Sequence, residues 1–107
     1  MREVILRPEA EADIEVAADH TLASWGHEQA FKYVTQLRRA SEELASAAHH
    51  YPLYDAVYPG LRRGRSGMHH IYYVAFADRV EIVRIIDVRR DPGLHLKGET
   101  WGDQEAE

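Results

Sequence analysis

The sequence predicts an α+β fold: a small antiparallel sheet in β-α-α-β-β-β order, with a helical hairpin packed on one face. Residues 8–48 contain two long stretches in which apolar residues recur at helical spacing. Residues 68–77 and 80–88 are strongly apolar, rich in β-branched and aromatic residues, and separated by a short turn. Short connections join strands as hairpins, so the last three strands form an antiparallel meander, which is typical of α+β proteins.

The first elements are a strand at residues 3–7 and a helix that begins at Pro8. Proline suits the first helical position because its missing N–H has no partner there in any case. Gly26 ends this helix, since glycine enters the left-handed region without a steric clash. The pattern predicts that Trp25 is a core residue that closes the buried stripe of this helix, whose members recur at helical spacing: Ala10, Ile14, Ala17, Thr21 and Trp25.

The second helix is predicted at residues 27–48, and the short gap at Gly26 makes the two helices an antiparallel hairpin. Residues 51–60 contain two prolines and form a loop. Strands follow at residues 61–65, 68–77 and 79–89. Residues 1–96 therefore form a single domain, and the polar, acidic residues 97–107 are expected to be a flexible tail.

Length and composition exclude several classes of protein. A chain of 107 residues suits one domain. The absence of cysteine excludes disulfides and thiolate metal sites. The longest apolar run, residues 71–77, is far shorter than a membrane span, and the charged N-terminus does not match a signal peptide. These features predict a cytoplasmic protein without a membrane partner.

The charge is unevenly distributed along the chain. The net charge is −5, yet residues 61–98 hold eight Lys/Arg against four Asp/Glu. Basic residues thus stand at both ends of a small apolar sheet. Two interpretations remain open: solvated side chains at the sheet edge, or a contact surface for an acidic or phosphate-bearing partner. The excess is too small to predict sequence-specific nucleic-acid binding.

Both faces of the two central strands are apolar, but two helices can cover only one face of a small sheet. A tightly bound partner protein would cover the other face. The alternative is closure by side chains from the loop at residues 49–60 and from the C-terminal tail. The partner interpretation is the preferred one.

Several segments, in this order and spacing, resemble the ParE branch of the RelE/ParE toxin superfamily of bacterial toxin–antitoxin systems. The resemblance covers about residues 3–96 and implies a toxin that inhibits DNA gyrase by binding, without chemistry of its own. It also implies a stable complex with a ParD-like antitoxin. The matching segments are Arg-Pro-Glu-Ala-Glu-Ala-Asp-Ile at 7–14, Trp-Gly-His-Glu-Gln-Ala at 25–30, Pro-Gly-Leu-Arg-Arg at 59–63, Ser-Gly-Met-His at 66–69, Ile-Tyr-Tyr at 71–73, Val-Glu-Ile-Val-Arg-Ile-Ile at 80–86 and Arg-Asp-Pro-Gly-Leu-His-Leu at 90–96.

One position departs from the family pattern. ParE-like chains usually close the last strand with Leu-His, whereas this chain has Ile86-Asp87, and Arg90 replaces a frequent methionine. Asp87 is expected to form a local ion pair with the neighbouring arginines. The change puts in doubt any target contact made by that histidine.

The resemblance and the basic residues together give two candidate sets. The expected target contact lies chiefly in residues 84–96, and its full set is Arg62, Arg63, Arg65, Arg84, Asp87, Arg89, Arg90 and His95. The expected antitoxin contact comprises Tyr72, Phe76, Ile82, Arg84 and Ile86. A cation at Arg84, on a central strand, is costly unless it is paired. It is therefore expected to meet a carboxylate of this chain or of the antitoxin.

Two other functions stay open. RelE-like relatives cleave mRNA on the ribosome, which needs cations and proton carriers around a phosphate. Arg62, Arg65 or Arg84 could supply the charge, and His69, His70 or Tyr72 the proton transfer, with His95 the only late histidine. A non-toxic relative that only binds the antitoxin is the third possibility. No cofactor and no metal are expected, because the histidines do not show the spacing of a zinc site.

Overall fold

The computed structural model describes residues 1–96, so the predicted tail at residues 97–107 lies outside the described residues. The elements follow the predicted order, with one short helix added at the end. They are β1 (Glu3–Leu6), α1 (Pro8–Trp25), α2 (His27–Glu43), β2 (Leu61–Ser66), β3 (His69–Ala75), β4 (Arg79–Asp87) and α3 (Pro92–His95). The predicted element order and helical hairpin are thus confirmed.

The four strands form one sheet in the order β1-β4-β3-β2. The meander is antiparallel, as predicted, with β3 between its two neighbours in the chain. The sheet as a whole is mixed, because β1 pairs with β4 in parallel, from Glu3 opposite Arg79 to Leu6 opposite Ile82. The helical hairpin separates β1 from the meander and lets the first strand join beside the last one.

The two helices end differently from one another. Gly26 caps α1 with φ of 90°, in the region that favours glycine, and its N–H donates to the Leu22 carbonyl. Helix α2 ends at Glu43, five residues earlier than predicted. There the N–H of Leu44 donates to the Ser41 carbonyl, three residues back, so the chain tightens into turns. Leu44 and Ala48 are nevertheless buried.

Trp25 is not a core residue, and that prediction is wrong. The residue is 76% exposed. The buried residues of α1 end with Ala17, so only the first half of the helix packs against the rest of the domain. A helix longer than the core it covers can continue its apolar spacing into solvent.

A bulge in β4 changes which side chains share a face. Tyr72 lies opposite Arg84 and Tyr73 lies opposite Ile82, so Val83 is an extra residue in β4. Ile82 therefore packs in the core between sheet and helices, whereas Ile86 packs on the opposite face. The expected antitoxin contact groups Ile82, Arg84 and Ile86, which strict alternation would place on one face, but alternation fails at a bulge and the three do not share a face.

The second apolar face of the sheet is covered by the chain itself. Tyr54, Val57 and Tyr58 of the loop and the buried Leu96 pack on it. This is the alternative closure, and the preferred prediction, that a bound partner protein covers this face, is wrong. With Ile82 buried under the helices and the other three under this cover, the four apolar residues of the expected antitoxin contact present almost no accessible surface to a partner: Tyr72, Phe76, Ile82 and Ile86.

Candidate functional site

A groove of about 640 Å³ lies between α1 and the C-terminal end of β4. It brings together five of the residues predicted to contact a target, which come from the end of β4 and the turn that follows it. One wall is α1, with Val16, Ala17 and His20. The residues from the other wall are Arg84, Asp87, Arg89, Arg90 and His95.

Asp13, on α1, binds both the side chain of Arg84 and the backbone of Ile85 on β4. Its two carboxylate oxygens accept hydrogen bonds from Arg84 Nε at 2.7 Å and Nη2 at 2.9 Å. The Ile85 N–H also donates to Asp13 Oδ2, at 2.8 Å. Strand β1 pairs with β4 only as far as Ile82. Asp13 therefore supplies a hydrogen-bond acceptor to β4 beyond the last residue that pairs with β1.

Arg84 also holds the segment that follows β4, residues 91–96, which we call the C-terminal turn. Its Nη1 donates to the His95 carbonyl at 2.8 Å. The turn is also held by Leu96, which is buried, and by the Tyr58 hydroxyl, which donates to the Leu96 carbonyl. The side chains of Arg84 and Asp13 are 20% and 14% exposed. The prediction that Arg84 meets a carboxylate is confirmed within the chain, and Arg84 positions the turn.

Asp87 forms the local ion pair that was expected, with Arg89. Arg89 Nε and Nη2 donate to its two oxygens at 2.9 and 2.8 Å, and the Arg89 N–H donates to Oδ1. The Arg89 guanidinium holds the pKa of Asp87 well below its usual range. The carboxylate that stands at the usual histidine position is therefore charged and already engaged.

His69 lies at the base of the groove and is held through Tyr33. The Met68 N–H donates to the Tyr33 hydroxyl, which in turn bonds with Nδ1 of His69. Burial lowers the pKa of His69, while Asp87 and Asp13 act in the opposite direction. The direction of the Tyr33–His69 hydrogen bond depends on the tautomer of the ring. Burial is the largest influence on the pKa of His69, and it favours the neutral ring.

The other three arginines of the predicted target contact lie outside the groove. Arg62 Nη1 donates to the Tyr51 carbonyl at 2.7 Å, and its Nε is buried without a partner among the described residues. Arg63 and Arg65 lie on the opposite face of the sheet from the helices, in register with Tyr72 and His70. The eight residues of the predicted target contact are therefore split: the groove holds five, the opposite sheet face holds Arg63 and Arg65, and Arg62 lies apart with Tyr51.

Sequence reasoning missed two polar residues that line this site, Asp13 and His20. Asp13 was noted only within the matching segment at residues 7–14, although a carboxylate is the partner that Arg84 requires. Leu94, on the short helix α3, is 77% exposed. Asp91 begins that helix by accepting a hydrogen bond from the Gly93 N–H, an Asp-Pro-Gly signal that the sequence does contain.

The groove is suited to binding. Two of its guanidinium groups hold carboxylates of the chain, and its lining combines the apolar Val16 and Ala17 of α1 with polar residues from β4 and the segment after it. Among residues 1–96, no group of three or more His, Cys, Asp or Glu side chains is placed to hold a metal ion. The helices in that range are also too short or too polar to cross a membrane.

Comparison with known proteins identifies close relatives over most of the chain. The sequence pattern of a family described as the ParE toxin of type II toxin–antitoxin systems, parDE, matches residues 4–92. A Mycobacterium tuberculosis protein named Toxin ParE1 is 31% identical over 93 residues, which cover 86% of this chain and 95% of that protein. Toxin ParE of Escherichia coli is 28% identical over 92 residues, covering 85% and 89% of the two chains.

Solved structures show the same fold. A chain of the chromosomal ParDE system from Pseudomonas aeruginosa superimposes with a TM-score of 0.71 at 21% identity, covering 81% of this chain and 96% of that one. A chain of the RelBE2 toxin–antitoxin complex from Mycobacterium tuberculosis gives a TM-score of 0.57 at 16% identity, covering 80% and 96%. At these identities the likeness concerns the fold alone.

Proposed function

This chain belongs to the ParE toxin family of type II toxin–antitoxin systems, and on that premise we propose that it inhibits DNA gyrase by binding and is neutralised by a ParD-like antitoxin. The observation that carries the proposal is the family match over residues 4–92, which includes every element of the groove except the end of α3. Inhibition by binding also agrees with a groove whose arginines Arg84 and Arg89 are engaged by carboxylates.

The target contact is proposed at the C-terminal turn and the rim of the groove. Leu94 is an exposed apolar side chain on the short helix α3, directly before His95, whose carbonyl is held by Arg84. A fixed turn that presents an apolar residue needs little ordering when it binds a partner surface. Arg89 and Asp87 supply the polar rim.

The antitoxin contact is proposed on the helical hairpin. Exposed apolar side chains occur on both helices, and large aromatic residues at such positions often dominate binding energy. They are Val16, Leu22, Trp25 and Phe31. This surface replaces the sheet face, which the loop and Leu96 cover.

The test is induction of the chain without antitoxin, followed by assays with the purified protein. We expect growth arrest, loss of gyrase-dependent supercoiling and accumulation of cleaved DNA. Growth arrest with normal supercoiling and cleaved mRNA would replace the proposal by the RelE-like endoribonuclease function. The residues that such a nuclease would use are divided between the groove and the opposite sheet face, and Tyr72 is buried.

Normal growth would leave a non-toxic relative that only binds the antitoxin. The informative variant in that case is Asp87→His, which restores the usual residue of the family pattern and releases Arg89 from its ion pair. Gyrase inhibition by this variant, and not by the parent chain, would assign the loss of toxicity to Asp87. Continued inactivity would place the cause elsewhere.

A further inference from the structure

We propose that the face of the sheet opposite the helices carries a second binding site, formed by Arg63, Arg65 and His70, for the phosphate backbone of a single-stranded nucleic acid. We call these three residues the cationic patch. The site is separate from the groove and needs neither gyrase nor the antitoxin, so it goes beyond the proposed function.

Strand register brings the cationic patch together. Arg63 lies opposite Tyr72 and Arg65 lies opposite His70 on adjacent antiparallel strands. Side chains two residues apart on a strand point to the same face. Tyr72 packs in the core on the face opposite the helices. The two arginines and the histidine therefore share that face.

The positive charge of the cationic patch is not cancelled by neighbouring carboxylates. Other arginines of the domain hold carboxylates, such as Arg84 with Asp13 and Arg89 with Asp87. Among the described residues, Arg63 and Arg65 form no such pair: the Arg63 guanidinium lies 4.1 Å from the centre of the Tyr54 ring, and Arg65 Nε donates to the Gly67 carbonyl at 2.9 Å.

One acidic group, Asp91, acts on Tyr72: burial raises the pKa of the Tyr72 hydroxyl, and Asp91 raises it further. The Asp91 Oδ1 accepts the hydrogen bond of the Gly93 N–H at the start of α3. The pKa of His70 is lowered by burial and further by the charges of Arg63 and Arg65. The local potential is thus positive on a protein whose net charge is −5, and an anionic ligand would be held at this place.

Aromatic rings beside the arginines favour a nucleic-acid strand over an acidic peptide. The rings of Tyr54 and Tyr72 meet edge to face at 6.0 Å, and His70 meets Tyr72 at 5.9 Å. Sites for single strands combine cations that follow the backbone with rings on which bases stack. Tyr54 and His70 are partly exposed beside the two arginines, with the Arg63 guanidinium stacked on Tyr54, whereas Tyr72 is buried.

The experiment measures binding of a fluorescently labelled single-stranded DNA oligonucleotide to the purified full chain by anisotropy, over a series of salt concentrations. The test variant is Arg63→Gln/Arg65→Gln. The matched control is Lys32→Gln/Arg39→Gln, which removes the same charge from two exposed positions of α2. Arg65→Gln alone is a second test variant, because Arg65 is exposed and its replacement leaves the packing on Tyr54 intact.

We expect salt-dependent binding by the parent chain and a loss of about tenfold or more at low salt in the test double variant. Each phosphate contact contributes about −0.7 to the slope of log affinity against log salt, so removing two should reduce that slope by about 1.4. The control double variant should bind like the parent chain.

Three results would overturn the proposal: no binding at low salt, equal losses in the test and control variants, or a loss absent from Arg65→Gln. Competition by polyglutamate as effective as that by unlabelled oligonucleotide would also overturn it and reassign the cationic patch to an acidic protein partner. Because the assay contains no gyrase, its failure leaves the proposed function untouched.

Discussion

At the scale of single residues, Asp13 shows how one carboxylate can organise a surface. It binds the guanidinium of Arg84 through both oxygens and also accepts the N–H of Ile85. Arg84 then holds the carbonyl of His95. Sequence alone predicted that Arg84 needs an anion, because a cation on a central strand is costly. It could not identify Asp13, which lies 71 residues away in the chain.

Removal of Asp13 is expected to destabilise the domain. Asp13→Ala leaves Arg84 largely buried and without its anion and leaves the Ile85 N–H without its acceptor, so the free energy of unfolding should fall by about 2–4 kcal/mol. Glu11→Ala is the control, since it breaks the exposed pair with Arg38 and should cost less than about 1 kcal/mol. Urea denaturation measures both, and equal losses would contradict the account.

A second change tests the same contact from the other side. Adding Arg84→Met to Asp13→Ala removes the cation that has lost Asp13, and the double variant should therefore regain part of the lost stability. The free energies of unfolding of the four chains form a double-mutant cycle. A double variant whose loss equals or exceeds the sum of the two single losses would show that the two residues do not stabilise the fold as a pair.

His69 predicts a pH dependence of stability. Burial lowers its pKa in the folded protein below the ordinary value of 6.5, so the folded state favours the neutral ring. The unfolded chain then binds more protons as the pH falls below 6.5, and the stability that neutral His69 contributes is lost in that range. The contribution of neutral His69 is fully present above pH 6.5.

The measurement is urea denaturation at about pH 7.5 and about pH 5.5. The parent chain should be less stable at the lower pH, and His69→Asn should show a smaller difference between the two. His27→Asn, at an exposed position, serves as the control and should keep the parent profile. An unchanged pH difference in His69→Asn would show that another group controls the profile.

At the scale of elements, the type and order of helices and strands follow from local pattern, but their faces depend on the tertiary structure. Pro8 and Gly26 predicted the start and end of α1, yet its apolar spacing continues to Trp25, beyond the core. In β4 the bulge at Val83 reverses the alternation, which moves Ile86 to the face opposite Ile82. A bulge depends on the partner strand, and a single strand sequence does not reveal it.

The exposed position of Trp25 leads to a prediction for the hairpin. Trp25→Ser should change the free energy of unfolding by no more than about 0.5 kcal/mol, whereas a core tryptophan would cost about 3–5 kcal/mol. If the hairpin is the antitoxin surface, the same variant should weaken binding of the ParD-like antitoxin about tenfold or more. Calorimetric titration and thermal denaturation measure the two effects. Full affinity would remove Trp25 from that contact.

At the scale of the whole molecule, the two faces of the sheet are covered by different parts of the chain. One face packs on the helices, and the other is closed by the loop and Leu96. The residue patterns predicted this architecture, and the resemblance predicted the family. Closure of the second face by the loop was only the second of two alternatives, because the loop at residues 51–60 has no periodic pattern that indicates where it packs. What remains for partners are the helical hairpin, the groove with its C-terminal turn, and the cationic patch.

The most direct test of the gyrase proposal is the yield of trapped DNA cleavage complexes with purified gyrase, comparing the parent chain with Leu94→Ser. Leu53→Ser, at another exposed leucine, is the matched control. We predict abundant complexes with the parent chain and the control, and a loss of about tenfold with Leu94→Ser at unchanged stability. Equal yields from all three chains would contradict a contact at the C-terminal turn. No complexes with the parent chain would contradict gyrase as the target.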